Sequence, residues 1–362
     1  MHTLSQMELL RYQRHFPVIG LAGQQQLKQA KILSVGGGGL ACPALQYLAA
    51  AGIGTLGIVD GDHVELSNLQ RQILFQELDI GQNKAEIIAK RLRVLNSQLN
   101  VDVYPEFLTD SNAKKIIQNY DVILDATDNY PARYLLNEMT RALKKPLVSA
   151  SIYQFDAQIS VFNHQNGPCY QCLYPEPPPA SLIPNCAMGG VLGILPGVAG
   201  TIQATEAIKI ILGIGENLSG TLLCMDLLSM QFKHFEINKS CDNHPKISFA
   251  TQEAASTFSV INAVELSELL ATNTETIQLI DVRQPYERDI CHIGGELIPV
   301  AELALHIDRL DKTKLTVVYC KSGGRSASAC HQLKAAGFTE VMNLNKGILG
   351  WIDSVDDSLM RY

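Results

Sequence analysis

The sequence has few charges for its length and no excess of basic ones. Charged residues make up 18% of 362 positions, 29 Lys and Arg stand against 36 Asp and Glu, and the formal net charge is -7. This balance lacks the cationic footprint that holds nucleic acid without specificity, so no direct nucleic-acid partner is expected. Long apolar runs are also missing. The uncharged stretch 187–205 is interrupted by Gly189, Gly190, Gly193, Pro196, Gly197, Gly200 and Gln203, which reads as a buried glycine-rich loop leading into a helix rather than a span of roughly 20 apolar residues. Residues 1–15 carry charges where a secretory leader needs its apolar segment, so a cytoplasmic location is expected. Disorder is excluded by a hydrophobic content of 46%. The nine cysteines are an odd number, and in a cytosolic setting they raise metal binding or thiol chemistry before disulfides.

The chain is long enough for two cores. Residues 31–35 form a short apolar run, followed by GGGGLA, by a helical run through Leu45, Leu48 and Ala49, and by TLGIVD ending at Asp60. That is a strand, turn, helix, strand order, which opens a parallel α/β sheet. The rhythm repeats with a helix over 84–95, the strand DVILDATDN closed by Asp128, a helix near 133–143 and the strand PLVSA. After Cys241 the text loses its period. A helix is expected in VINAVELSELLA, strands in IQLIDVR and LTVVY, a helix over 327–336 and a strand near Val341. The expectation is an α/β protein with a Rossmann-like, doubly wound sheet domain at 1–245, a linker at 246–257 and a smaller α/β domain at 258–362.

Gly36, Gly37, Gly38, Gly39, Leu40 and Ala41 fit G-x-G-x-x-A between a strand and a helix, with Asp60 at the end of the next strand. Glycines there let backbone approach a phosphate at a helix N-terminus, and the carboxylate is placed for a ribose hydroxyl. On its own this pattern suits NAD as well as ATP. The following DGDHVELSNLQRQ adds Asp62, Asn68 and Arg71, GQNKAE adds Lys84, and DATDN adds Asp128. Hydride transfer has no use for so many charges, whereas attack on a triphosphate does. Arg and Lys neutralise developing phosphate charge, and a carboxylate holds a bridging Mg²⁺.

Two close pairs, Cys169 with Cys172 and Cys241 with His244, supply four ligands of the kind structural zinc takes, and they leave no open position for chemistry. A thioredoxin-type redox pair is the competing reading of the first. Cys320 follows an apolar strand and begins CKSGGR, where amides at a helix start and Arg325 can stabilise a thiolate or persulfide. Four residues separate Cys320 from Arg325. Cysteine-dependent phosphatases have five, because phosphate needs a larger ring of amides, so the shorter loop favours sulfur. Cys42, Cys224, Cys291 and Cys330 read as small packing residues, and the lone Trp351 as a hydrophobic anchor.

The segments RYQRH, VGGGGLACPALQYLAAAGIG, VDGDHVELSNLQRQ, GQNKAE, DATDNYPAR and GVLGILPGVAGTIQATEAIK resemble the MoeB/ThiF branch of the ubiquitin-activating enzymes. IDVRQPYE, CKSGGR and LNKGILGWID resemble a single rhodanese domain. The resemblance implies ATP-dependent adenylation of the C-terminal glycine of a ubiquitin-like sulfur carrier of the MoaD/ThiS type, with a diglycine tail. Rhodanese persulfide transfer would then give the carrier thiocarboxylate, destined for molybdopterin, thiamine or thiolated tRNA.

By position, it implies nucleotide contacts at Gly36, Gly38, Gly39, Asp60, Asp62, Ser67, Asn68, Leu69, Gln70, Arg71, Lys84, Asp128 and Asn129, with Asp128 also holding Mg²⁺. Arg14 would reach the ATP of a partner subunit in a homodimer. Cys186 stands where family members often have a second cysteine that attacks the activated carrier, and it also suits a flexible loop with no chemistry. The sulfur donor would be a cysteine desulfurase or thiosulfate. The family has C-x-x-C at both zinc positions, so His244 is a departure, though histidine is a competent ligand. Two other readings stand beside this one: a nicotinamide oxidoreductase resting on the glycine turn, and a scaffold or sensor with a non-catalytic rhodanese domain.

Overall fold

A computed structural model describes residues 4–177, 190–241, 244, 247, 258–272 and 276–362. They fall into two compact units, one on each side of residues 248–257. The expected linker therefore lies outside the described residues, apart from Ile247, which packs against the core of the first unit.

The first unit is built on an eight-stranded sheet in the order β3-β2-β1-β4-β5-β6-β7-β8. Its strands are β1 (Lys31–Val35), β2 (Thr55–Val59), β3 (Asn100–Tyr104), β4 (Val122–Asp125), β5 (Leu147–Tyr153), β6 (Asp156–Phe162), β7 (Thr221–Asp226) and β8 (Gln231–Glu236). The first five are parallel, and chain order reverses direction between β1 and β4. Successive residues of β1 serve opposite faces. Ile32 joins a core that includes Leu45, Leu48 and Leu195, whereas Leu33 and Val35 join one with Tyr120, Leu136 and Tyr170. Covering both faces is what a parallel sheet requires. The antiparallel extension β6-β7-β8 departs from the parallel rhythm of the strands before it. Its last strand is exposed along its whole length.

Residues 190–193 lead into the helix Ile194–Leu212, but the expected burial of this loop is corrected, since Gly190 and Leu192 are exposed and Val191 and Gly193 half-buried; no helix among the described residues is long and apolar enough to cross a membrane. Gly200 explains the small residues on that helix. A Cβ there would come within 2.2 Å of the Leu40 carbonyl oxygen, so only glycine lets the helix lie against the start of the helix Ala41–Ala51.

The second unit has a five-stranded parallel sheet, β11-β10-β12-β13-β9. Its strands are β9 (Ser259–Ile261), β10 (Ile277–Asp281), β11 (Glu296–Leu297), β12 (Leu315–Tyr319) and β13 (Val341–Leu344). One expectation is corrected here. The helix is Ala263–Thr272, and residues 259–261 before it form strand β9, paired with β13. Val260 and Ile261 are β-branched, and the pairing partner comes from some eighty residues downstream, where helical periodicity gives no hint of it. Trp351 is buried in this unit's core, beside Leu266, Tyr319 and Ile352.

Candidate nucleotide, metal and sulfur sites

The C-terminal ends of β1, β2 and β4 lie side by side, with Val35 in register with both Val59 and Asp125. This is the switch point of an open α/β sheet, where ligands sit beyond the strand ends. The glycine turn follows β1. Gly36 has φ +96°, and a Cβ on it would lie 2.5 Å from the Ala126 carbonyl oxygen, so glycine is required by both conformation and space.

The Gly37 N–H donates to Asp60 Oδ2 at 2.6 Å and the Asp62 N–H to Asp60 Oδ1 at 2.8 Å. The Asp60 carboxylate is thus aimed across the turn by two amides, and each oxygen keeps a lone pair. Burial raises its pKa, against the pull of these two bonds and of Lys84.

Lys84 is the first residue of the helix Lys84–Leu95, capped by Asn83, whose side-chain oxygen accepts from the Glu86 N–H. The Asn83 amide donates to the carbonyls of Asp60 and Asp62, both at 3.2 Å. The cap thereby ties this helix to the end of β2 and buries Lys84, whose ammonium meets Asp62 at 3.3 Å. Asn68 is buried and closes a turn by accepting from the Glu65 N–H, and Arg71 Nη1 donates to the Ser67 carbonyl. Ser67 and Gln70 are exposed and Leu69 is half-buried. Gln72, absent from the sequence reading, is buried beside the glycine turn with its Oε1 unpartnered.

Asp128 does not close a strand. Strand β4 ends at Asp125, and Asp128 and Asn129 are exposed on the loop leading to the helix Tyr130–Leu143, which Asn129 caps. Asp125 is the structural carboxylate of the motif. It is fully buried, accepts from the Thr127 N–H and hydroxyl through Oδ1, and accepts from Ser149 through Oδ2 at 2.6 Å. Arg133 donates to the Thr127 carbonyl, so the turn is gripped from two sides and Asp128 projects beyond it. Its contact in the structure is a 3.5 Å bond from the Asn129 amide, which leaves its lone pairs free for a cation. Arg14 is exposed and, among the described residues, makes no hydrogen bond or ion pair.

Cys169, Cys172, Cys241 and His244 converge, with ligand atoms all within 4.8 Å of one another. Cys172 Sγ lies 3.7 Å from Cys169 Sγ, 3.2 Å from Cys241 Sγ and 3.4 Å from His244 Nε2. These are near the edge lengths of a tetrahedron with metal–sulfur bonds of about 2.3 Å, so the donor set fits zinc. The first pair spans a single helical turn, Tyr170–Leu173, capped by Cys169, a helix the sequence reading did not expect. Burial pushes the Cys169 thiol up to about 12. Burial also raises Cys172, but His244, the Ser240 N–H and Cys241 outweigh it and bring it down to about 6. Cys186 lies outside the described residues.

Cys320 follows β12 and is buried. Its Sγ accepts from the Gly323 N–H at 3.1 Å and from the Ser326 hydroxyl at 3.3 Å. Ser326 lies one residue past the CKSGGR motif, within the first turn of the helix Gly324–Ala335, so the motif does not point to it. The Arg325 guanidinium bonds to Glu287 through both nitrogens, at 2.5 and 2.7 Å. Burial opposes its charge, while Glu287 and, more weakly, Cys320 favour it. Cys42 and Cys330 are buried, with thiols pushed up to about 12 by burial, and Cys291 is buried too, as packing residues should be; Cys224 is half-buried on β7.

Residues 10–245 match the ThiF family and residues 262–354 the rhodanese-like domain. The "Probable adenylyltransferase/sulfurtransferase MoeZ" of Mycobacterium tuberculosis is 41% identical over 99% of this chain and 97% of its own length. The "Adenylyltransferase and sulfurtransferase MOCS3" of Xenopus laevis is 37% identical over 99% and 89%. The "Sulfur carrier protein adenylyltransferase" of Thermus thermophilus is 48% identical over 64% of this chain and 89% of its own. Among solved structures, Escherichia coli MccB with ATP superposes with a TM-score of 0.57 at 24% identity, covering 64% of this chain and 72% of that one, a likeness of fold. The chain belongs to the ThiF family and carries a rhodanese-like domain after its ThiF unit.

Proposed function

We propose that the protein is an ATP-dependent adenylyltransferase and sulfurtransferase acting on a ubiquitin-like sulfur carrier with a diglycine tail. The observation that carries this reading is a switch-point site bounded by the glycine turn, Asp60, Lys84 and the Asp128 loop, in one chain with a cysteine whose sulfur accepts a backbone amide.

Asp60 would take the ribose hydroxyls. Asn68, Arg71 and Lys84 would take the phosphates, and Lys84 exchanges its bond to Asp62 for them. Asp128 would hold Mg²⁺, which supplies charge neutralisation along the triphosphate. The carrier's terminal carboxylate attacks the α-phosphorus, giving the acyl-adenylate and pyrophosphate. The terminal sulfur of a Cys320 persulfide attacks the acyl carbon and AMP leaves, which forms an acyl disulfide. The Cys186 thiolate attacks the Cys320 sulfur. The carrier leaves as its thiocarboxylate, and the resulting Cys186–Cys320 disulfide is reduced by a cellular dithiol. Cys169, Cys172, Cys241 and His244 would hold a structural zinc ion, with every position filled by protein.

A homodimer in the cytoplasm, with Arg14 reaching the partner's ATP, and a desulfurase or thiosulfate as the donor, complete the proposal. Carrier-dependent exchange of pyrophosphate into ATP, followed by mass spectrometry for the exchange of one carrier oxygen for sulfur, tests it. Saturable NADH binding with no exchange on any diglycine carrier would overturn it in favour of a nicotinamide enzyme. Sulfur transfer that survives Cys320→Ala would favour a rhodanese unit serving only as a scaffold.

A further inference from the structure

The Cys320 loop carries two cationic side chains, Lys321 and Arg325, and both lead to Tyr362, 41 and 37 positions further along the chain. Arg325 is held by Glu287. The Tyr362 hydroxyl donates to Glu287 Oε1 at 3.0 Å and accepts from Arg283 Nη1 at 2.6 Å. Arg283 is completely buried, paired with Asp281 at 2.7 Å and bonded to the Cys291 carbonyl, so it is a rigid anchor. The ring of Tyr362 packs on the unit's core, and the Lys321 ammonium lies 4.7 Å from its centroid, within cation–π range. Tyr319 and Arg288 face the same network through Asp281. Burial keeps the Tyr362 hydroxyl protonated over the ordinary pH range, and hence able to donate to Glu287.

We propose that Tyr362 is a positioning residue for sulfur transfer: its hydroxyl orients the Glu287 carboxylate that holds Arg325, and its ring seats Lys321, so one aromatic side chain sets both loop cations around Cys320. The proposal rests on the sulfur-transfer reading of that cysteine. With the hydroxyl gone, Glu287 loses a donor and Arg283 an acceptor. With the ring gone, Lys321 has nothing to lie on. Either change frees Arg325 or Lys321 from the place it holds on the loop that an incoming sulfur donor must reach.

The test uses the full chain with Tyr362→Phe and Tyr362→Leu. Persulfide loading of Cys320 from thiosulfate is followed by mass spectrometry over a range of thiosulfate concentrations, which separates KM from kcat. Carrier-dependent pyrophosphate exchange and thermal unfolding show that both variants are folded. Tyr362→Leu should raise the KM for anionic thiosulfate about tenfold, because the loop cations that would meet it are no longer held. Tyr362→Phe keeps the ring and should fall between, losing about threefold, because the lost hydroxyl acts on the loop only through Glu287 and Arg325 and a fraction of its bond energy reaches them. An unchanged KM and unchanged kcat for loading in Tyr362→Leu overturn the proposal alone. A Cys320 that is never persulfidated in the unsubstituted protein, by thiosulfate or by a desulfurase, overturns the sulfur-transfer reading and the proposal with it.

Discussion

Glu287 and Arg325 form a two-pronged ion pair, with side chains only 3% and 13% exposed, across 38 residues of sequence. Leaving one member of such a buried pair without the other costs about 3 kcal/mol or more. Glu287→Ala should therefore unfold the rhodanese unit at a markedly lower temperature, measured by calorimetry on the full chain. Burial raises the Glu287 carboxyl, but Arg325, the Gln284 N–H and Tyr362 outweigh it and hold it below the ordinary glutamate value. A depressed folded pKa gives stability that is present above the unfolded pKa of about 4.3 and lost as pH falls through the folded one. The gap in unfolding temperature between the native protein and Glu287→Gln should accordingly be wide at pH 7 and close as the solution is acidified below about pH 4.

Asp125 should matter more to stability than Asp128, although only the latter is exposed to a ligand. Asp125→Ala strands the hydroxyls of Thr127 and Ser149 in the core, an expected loss of about 3 kcal/mol. Asp128→Ala should leave the unfolding temperature within a degree or two of the native protein while abolishing pyrophosphate exchange. Denaturation curves and exchange rates on the two variants separate these roles.

Lys84→Ala should lower the exchange rate about 100-fold, the usual effect of deleting one charge-stabilising donor in a protected site. Arg14→Ala should be rescued in trans. Mixed dimers of Arg14→Ala with Asp128→Ala contain one site with both groups intact, so co-refolding should restore exchange that neither variant has alone. A mixture as inactive as its components would confine Arg14 to its own subunit or remove it from the site.

Purified protein should carry one zinc per chain, held through three sulfurs and one nitrogen. His244→Ala should lower metal content and bring the unfolding temperature of the first unit down by roughly 5 °C. His244→Cys should retain the metal. Elemental analysis of the two variants checks both.

Much of the site could be read in the sequence because its chemistry is local. The glycine turn, Asp60 and Lys84 stand at strand ends and a helix start whose signals are periodicity and capping. What escaped was set by distance along the chain. Glu287, Arg283 and Tyr362 gain meaning only when β10, β12 and the segment after Trp351 meet, and a buried ion pair has no pattern of its own in sequence. Asp125 and Asp128 look alike in DATDN, and it is the neighbouring strand β5, through Ser149, that assigns one to the core and the other to solvent. Strand β9 was hidden for the same reason, since its partner β13 comes far later in the chain.

The strand order of the first sheet also sets which of its pairings are local and which join distant parts of the chain. Strands β5 and β6 are joined across residues 154 and 155, and β7 and β8 across residues 227–230, so each pair closes a short loop and can form in about 10 μs. The β1–β4 contact joins Val35 to Asp125, and closing so long a loop costs entropy that nothing repays until the strands dock. Of the pairings in this sheet, the β1–β4 seam joins the residues furthest apart along the chain. It is also the seam on which the glycine turn and the Asp128 loop stand, so the nucleotide cleft is made of two stretches of chain that only the closed seam brings together.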